Sequence, residues 1–378
     1  MESNPKHIKE NNNDPSSSSS SDTQNLLLPG LPNDLAERCL SSLPPSLLFS
    51  VCHSWRRLLY SPNFPPFLSL YVVLSPLPEK CNDKATSCNS IEFFSLDPIS
   101  SSWIPLPRPP QNPPLRLVHR HPSFLSRKLP IQSLTVSNNL VLIAATTPQF
   151  VPALSCPLAF NSQSNNWFFG PKFSIPRRWC AAGSVGGAVY IASGVGQHYR
   201  GDIGRSMEEW DLKNDNWKWE KKAQLRDGRF SREATEAVGF KGKLCMVNVK
   251  GSGAKEGAVY EVESNKWKEM PAGMLAGWNG PAATMNEDEM YVVDETRGTL
   301  NKYDTENDRW KEVIELPDLK LAEQIAAARG KVCAACANGK RIVVVDVVSE
   351  PVRIWMVDPP RGFEVVAVHV LPRMSKQN

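Results

Sequence analysis

The feature that most constrains this chain is a short pattern that recurs six times. An apolar or aromatic residue precedes Asp, Asn or Glu, and a Trp stands six positions after the polar residue. The copies run Leu96-Asp97 to Trp103, Phe160-Asn161 to Trp167, Trp210-Asp211 to Trp217, Tyr260-Glu261 to Trp267 and Tyr303-Asp304 to Trp310. A degenerate sixth runs Val348-Ser349 to Trp355. Successive Trp residues are 64, 50, 50, 43 and 45 positions apart. Self-similarity at roughly 40–50 residues marks a solenoid, a propeller or an array.

Upstream of each Trp a turn precedes a short apolar run. Asn138-Asn139 leads into Leu140 to Ala145, Gly186-Gly187 into Ala188 to Ala192, and Lys241-Gly242-Lys243 into Leu244 to Val249. Glu287-Asp288-Glu289 leads into Met290 to Val293, and Gly330-Lys331 into Val332 to Ala337. Asn, Asp and Gly between apolar runs make hairpin turns because they tolerate positive φ. Each unit therefore reads as a four-stranded antiparallel blade. The acid or Asn ends the third strand and satisfies turn N–H groups. The six Trp residues are expected to pack between blades as core, not to stack on a ligand.

This pattern resembles the kelch repeat, whose consensus joins a double Gly, a Tyr-Asp pair and a Trp at this spacing. Arg177 to Trp217 carries it best, with Gly186-Gly187, Tyr190-Ile191 and Gly194; other units lose the double Gly, and the last loses the acid too. The resemblance spans about residues 68–371. Phe363 to Val370, beyond the last Trp, reads as a further strand that completes the first blade. Joining both chain ends in one sheet closes the ring and removes an open edge. The fold class is mainly β, a six-bladed kelch-type propeller preceded by a short α-helical module. The 64-residue first interval holds a Pro-rich excursion, Pro105 to Pro130.

Residues 28–66 differ in kind. Asn33 stands where a helix cap belongs, with Asp34 and Glu37 in the first turn, where negative charge suits the helix dipole. Leu31, Leu35, Cys39 or Leu40, and Leu43 recur at helical spacing until Pro44-Pro45 breaks the helix. Leu47, Leu48, Val51, Trp55, Leu58 and Leu59 form a second stripe that ends at Ser61-Pro62. So few residues cannot bury both faces of their helices, and an unpartnered apolar face expects a partner. Leu31-Pro32, Asp34-Leu35, Leu43-Pro44, Val51-Cys52, Trp55-Arg56, Leu58-Leu59 and Ser61-Pro62-Phe64 resemble an F-box. The interval from Pro44 to Val51 is shorter than usual for that family. The resemblance implies docking to the small SKP adaptor of a cullin-based ubiquitin ligase through Leu31, Pro32, Leu35, Leu40, Leu43, Pro44, Val51 and Trp55. The chain thus divides into a Ser/Asn-rich disordered tail at 1–25, an F-box at 26–66, a propeller at 67–371 and a tail at 372–378.

Chemistry is sparse. The net charge of +4 over 378 residues gives no strong pull toward nucleic acid. No apolar run reaches the roughly 20 residues of a membrane span; the longest, near Ile342 to Val348, is broken by Asp346. The N-terminus shows no apolar core of a signal peptide. With nine scattered Cys, reduced thiols in cytoplasm or nucleus are expected. Cys333 and Cys336 lie three apart on a strand, which puts them on opposite faces and argues against a metal site. Among six His only His119 and His121 are close. No nucleophile-elbow, zinc-protease or phosphate-loop motif occurs, and the turns lack sialidase boxes. No catalytic residue, metal or cofactor is expected.

Binding remains. Loops following the Trp strands carry Arg177, Arg178, Arg229, Arg232, Trp278 and Asn279, residue types enriched at hot spots. As a set they suggest a basic, partly aromatic rim for an acidic segment of an unknown target. The resemblance implies a substrate-recognition subunit of an SCF-type ubiquitin ligase, similar to plant F-box/kelch-repeat proteins. The alternative is a kelch scaffold or ligand-binding module outside any ligase, its F-box unable to hold an adaptor.

Overall fold

Alternating apolar runs and left-handed turns build six four-stranded antiparallel sheets, the repeat made physical. The computed structural model describes residues 26–41, 43, 45–59, 61, 64, 67–77, 91–110, 131–147, 149–213, 217–232, 234–250 and 254–374. The expected tail at 1–25, Pro44, His119, His121 and the Pro-rich stretch from 111 onward lie outside those residues. The chain divides into two units, Met1–Pro65 and Pro66–Asn378.

In the larger unit the first blade runs outward from the axis as Phe363–Pro372, Leu68–Pro76, Glu92–Asp97 and Ser102–Pro105. The last strand of the chain is therefore the innermost strand of the first blade, paired from Leu68↔Pro372 to Pro76↔Phe363. The inner strands of the other blades are Ile131–Val136, Ala181–Val185, Ala234–Phe240, Ala282–Met285 and Gln324–Ala328. Together the six surround a cavity of ≈ 380 Å³.

The core lies between blades. Tyr190, Leu244, Met246 and Tyr260 pack in one such layer, and Tyr291, Leu300, Val332 and Val343 in another. Cys333 and Cys336 fall in different layers, as their spacing on a strand requires. The hairpin turns sit one residue earlier than the letters suggest in three blades, at Ser137-Asn138, Asn286 to Asp288 and Arg329-Gly330. At Gly186-Gly187 both residues have positive φ, the twist-matched two-residue turn that glycine permits.

The outer turns of the first, second and fifth blades share one geometry. Asp97 accepts from the Ser100 N–H at 3.2 Å, Asn161 from the Ser164 N–H at 2.9 Å and Asp304 from the Glu306 N–H at 3.1 Å. Four residues after the acid, Ser101, Asn165, Asn265 and Asp308 adopt φ between 46 and 54°. The sixth blade corrects the sequence reading. Its acid is Asp346, which accepts from Val348 and Ser349 N–H at 3.2 and 3.3 Å. Asp346 pairs with Arg353, so its turn is two residues longer than that joining Asp304 to Arg309.

The Trp expectation holds in part. The indole N–H of Trp103, Trp167, Trp267 and Trp310 donates to carbonyls of Asp358, Pro107, Ala223 and Met274, in the connection arriving from the preceding blade. These four are half-buried. In the third blade this bond is made by Trp219, which is buried and donates to Pro171 at 3.0 Å. Trp217 is 48% exposed and Trp355 is 40% exposed, so neither is core.

The smaller unit holds three short helices, Asn33–Ser41, Pro45–Val51 and His53–Leu59. The first opens on a Pro32 carbonyl that accepts from the Ala36 N–H. Asn33 does not cap it; its side chain instead accepts from the Leu27 N–H at 3.0 Å.

Candidate functional site

Two surfaces carry the candidate residues, one on each unit. On the helical unit, Ala36, Leu40, Leu48, Leu58 and Leu59 are buried. Leu40 is thus a packing residue, unavailable as an adaptor contact. Trp55 is half-buried, and its indole ties the third helix to the Leu27 carbonyl at 2.8 Å. Leu31 and Leu43 are half-buried, while Pro32, Leu35 and Val51 are exposed. Sequence reasoning put Leu47 in the apolar stripe without making it an adaptor contact and passed over Phe49; both are exposed alongside them. Their signal was the unbroken apolar run Leu47-Leu48-Phe49: on a helix, turning Leu48 inward leaves its immediate neighbours Leu47 and Phe49 facing outward. The Arg56 guanidinium lies 4.7 Å from the Phe49 ring centre and donates to the Phe49 carbonyl.

On the propeller, a series of loops links the third, fourth and fifth blades. Arg177 is buried and forms an ion pair with Glu208 at 3.1 Å. It also donates to the Ser193 carbonyl at 3.1 Å and Ser206 Oγ at 2.8 Å. Its role is a strut inside the third blade, which removes it from the expected rim. Arg229 is exposed, but Asp227 and Glu256 neutralise it. Its hydrogen bonds hold the Asp227 carboxyl below the usual carboxylate range. Trp278 is fully buried between the fourth and fifth blades, a second correction to the expected rim. Asn279 is exposed, accepts from Lys255 Nζ at 2.8 Å and donates to Asp294 at 3.3 Å. Arg232 closes the 3-10 turn Arg229–Arg232, and its side chain lies outside the described residues.

Arg178 differs from its neighbours. It is 9% exposed, and its Nε and Nη1 have no hydrogen-bond partner. Its guanidinium lies 4.3 Å from the Trp179 ring centre. Burial without a counter-ion pulls it below the usual arginine range. Gly194 allows the close approach that places it, since a Cβ there would meet the Arg178 carbonyl at 2.9 Å. The spacing of basic residues marked this loop, but not which charges are already neutralised.

No group of three or more His, Cys, Asp or Glu able to hold a metal occurs among the described residues. The Cys180 thiol is pushed up to about 11 and those of Cys245, Cys333 and Cys336 to about 12, all by burial. Such thiols are packing groups rather than nucleophiles. No described helix is long and apolar enough to cross a membrane.

A six-bladed kelch-type propeller joined to a three-helix module with an exposed apolar side defines the class. The chain is 48% identical over 363 residues to the F-box/kelch-repeat protein SKIP25 of Arabidopsis thaliana, covering 93% of this chain and 91% of that one. It therefore belongs to the F-box/kelch-repeat family. The F-box protein AFR of the same plant is 26% identical over 71% of this chain and 68% of its own length. The F-box/kelch-repeat protein SKIP4, also from Arabidopsis thaliana, is 22% identical over 80% and 79%. No family model matches the chain.

Proposed function

We propose that this chain is the substrate-recognition subunit of an SCF-type ubiquitin ligase. The F-box docks on a SKP-family adaptor, and through it a cullin, while the propeller holds a target protein for ubiquitination. The chain itself performs no catalysis and takes no cofactor. Its contribution is proximity, raising the effective concentration of target lysines near the charged enzyme. Cytoplasm or nucleus, where that machinery works, is its expected location.

One observation carries the reading: Leu35, Leu47, Phe49 and Val51 stand exposed on short helices, in a chain of the F-box/kelch-repeat family. Exposed large apolar side chains on so small a unit mark a docking face. The adaptor-contact set is accordingly Leu31, Pro32, Leu35, Leu43, Pro44, Val51 and Trp55 from the sequence, with Leu47 and Phe49 added. Co-expression with a SKP-family adaptor and size exclusion tests this. A one-to-one complex is expected for wild type and its loss for Leu35→Asp/Val51→Asp. A monodisperse chain that never holds the adaptor would refute the ligase reading and leave a free-standing kelch scaffold.

A further inference from the structure

Resting on the reading that the propeller loops take the target, we propose that Arg178, Arg205 and Arg226 form the docking site for an acidic, carboxylate-bearing segment of that target. Arg178 supplies the strongest reason. A nine-tenths buried guanidinium normally has an anion beside it, because desolvating a charge is costly. Here Nε and Nη1 are orphaned, and no described carboxylate pairs with the group. The adjacent Arg177 shows what a structural arginine in this loop looks like: an ion pair and hydrogen bonds to two further groups. Arg178 has the same opportunity and lacks the counter-ion.

The surroundings extend the charge. The backbone of Arg178 pairs with Val195, at the start of the 193–206 loop. That loop carries exposed Tyr199, 49% accessible, and ends at exposed Arg205. The Leu225 N–H donates to the Arg205 carbonyl at 2.9 Å, so exposed Arg226 stands beside Arg205 across that bond. Neither Arg205 nor Arg226 comes within ion-pair distance of a described carboxylate; Arg226 acts on Asp227 only at longer range, while Arg229 holds that carboxylate directly. Tyr199 also reaches the second loop, with its hydroxyl against Gly228. The other nearby arginines are spent on local carboxylates, Arg200 on Asp202 and Arg229 on Asp227 and Glu256. Three guanidinium groups outside any ion pair of the described residues, carried by three loops that also hold Trp179 and Tyr199, suit a run of single negative charges. A lone phosphate would require them to converge on one point. Arg with Trp or Tyr is also the composition that carries interface energy.

The test uses the full chain in complex with its SKP-family adaptor and a fluorescent glutamate–glycine peptide as probe, read by polarisation. Saturable, salt-sensitive binding is expected, weakened about tenfold or more by Arg178→Met and by Arg205→Glu/Arg226→Glu, as for removal of interfacial charges. Arg353→Glu, on the outer strand of the sixth blade, leaves it unchanged. Arg178→Met is also expected to melt no lower than wild type, because it removes a charge that has no partner. Absence of saturable binding, or binding indifferent to the three arginines, overturns the proposal. So does a lowered melting temperature with binding intact, which makes Arg178 a structural residue. A phosphoserine–glycine peptide bound about tenfold more tightly through the same arginines overturns the carboxylate assignment in favour of phosphate. Adaptor retention is scored in the same complexes: its failure counts against the ligase reading, and peptide failure with the adaptor held counts against this site alone.

Discussion

At the scale of single residues, the propeller separates arginines by what faces them rather than by where they fall in the sequence. Arg177 and Glu208 are 2% and 4% exposed, so each neutralises the other in a medium that does not solvate charge. Arg177→Ala leaves the Glu208 carboxylate buried and alone, and should cost about 3–5 kcal/mol. Arg229→Ala removes an exposed ion pair and should cost about 1 kcal/mol or less. Urea denaturation of both variants checks the contrast; equal losses would deny Arg177 its role as a strut. The sequence showed a basic loop at both positions. It did not show the burial, because Glu208 lies 31 positions beyond Arg177 and only the fold brings them together.

At the scale of elements, the repeat was legible because one turn geometry is used again and again. An acid or Asn that accepts from N–H groups two and three residues on, followed by a left-handed residue, fixes a turn of four residues between paired strands and hence the spacing to the Trp. Where the turn changes length, the spacing misleads. In the sixth blade the turn after Asp346 is two residues longer and Trp355 sits one position further along the return strand, opposite Val344, so counting back from Trp355 lands on Ser349. In the third blade the outer strand is only Glu220–Lys221, and the bond to the preceding connection falls to Trp219. Trp219→Ala should therefore cost about 3–5 kcal/mol, as for other buried aromatics. Trp217→Ala, at the position the pattern selects, should cost about 1 kcal/mol, a surface-like effect. Thermal or urea melts of the pair decide; a greater loss at Trp217 would restore the pattern's choice. The helical unit was legible in its apolar stripes and less so in its facing, since Leu47 and Leu48 are alike in letter and opposite in burial.

At the scale of the whole molecule, stability rests on closing the ring, and the closure is made by the chain ends. The strand Phe363–Pro372 pairs along the length of Leu68–Pro76, Tyr71 donates to the Pro372 carbonyl at 2.7 Å, and Arg373 pairs with Asp97 at 2.7 Å. Phe363 to Val370 was readable as a strand because its apolar run had no blade of its own. The polar group buried in it was not foreseen. His369, 2% exposed, joins the closing strand to the second blade through Ser133 Oγ at 2.8 Å. Burial holds its imidazole neutral, with a pKa lowered to about 3 from the usual 6.5. The unfolded chain binds a proton below about pH 6.5 that the closed ring refuses until near pH 3, so this contribution is full above pH 6.5 and shrinks as pH falls. Asp97 acts lower: burial raises its pKa, the Ser100 and Arg373 hydrogen bonds outweigh that, and its contribution is lost only below the ordinary carboxylate range. Between about pH 6.5 and pH 5 the slope belongs to His369 rather than to Asp97, and amounts to about 2 kcal/mol over that interval. His369→Gln keeps a hydrogen-bonding group for Ser133 and removes the titration. Urea melts should show wild type losing about 2 kcal/mol more than His369→Gln on going from about pH 7 to about pH 5. Parallel losses in the two proteins would mean that the imidazole takes up its proton without opening the ring.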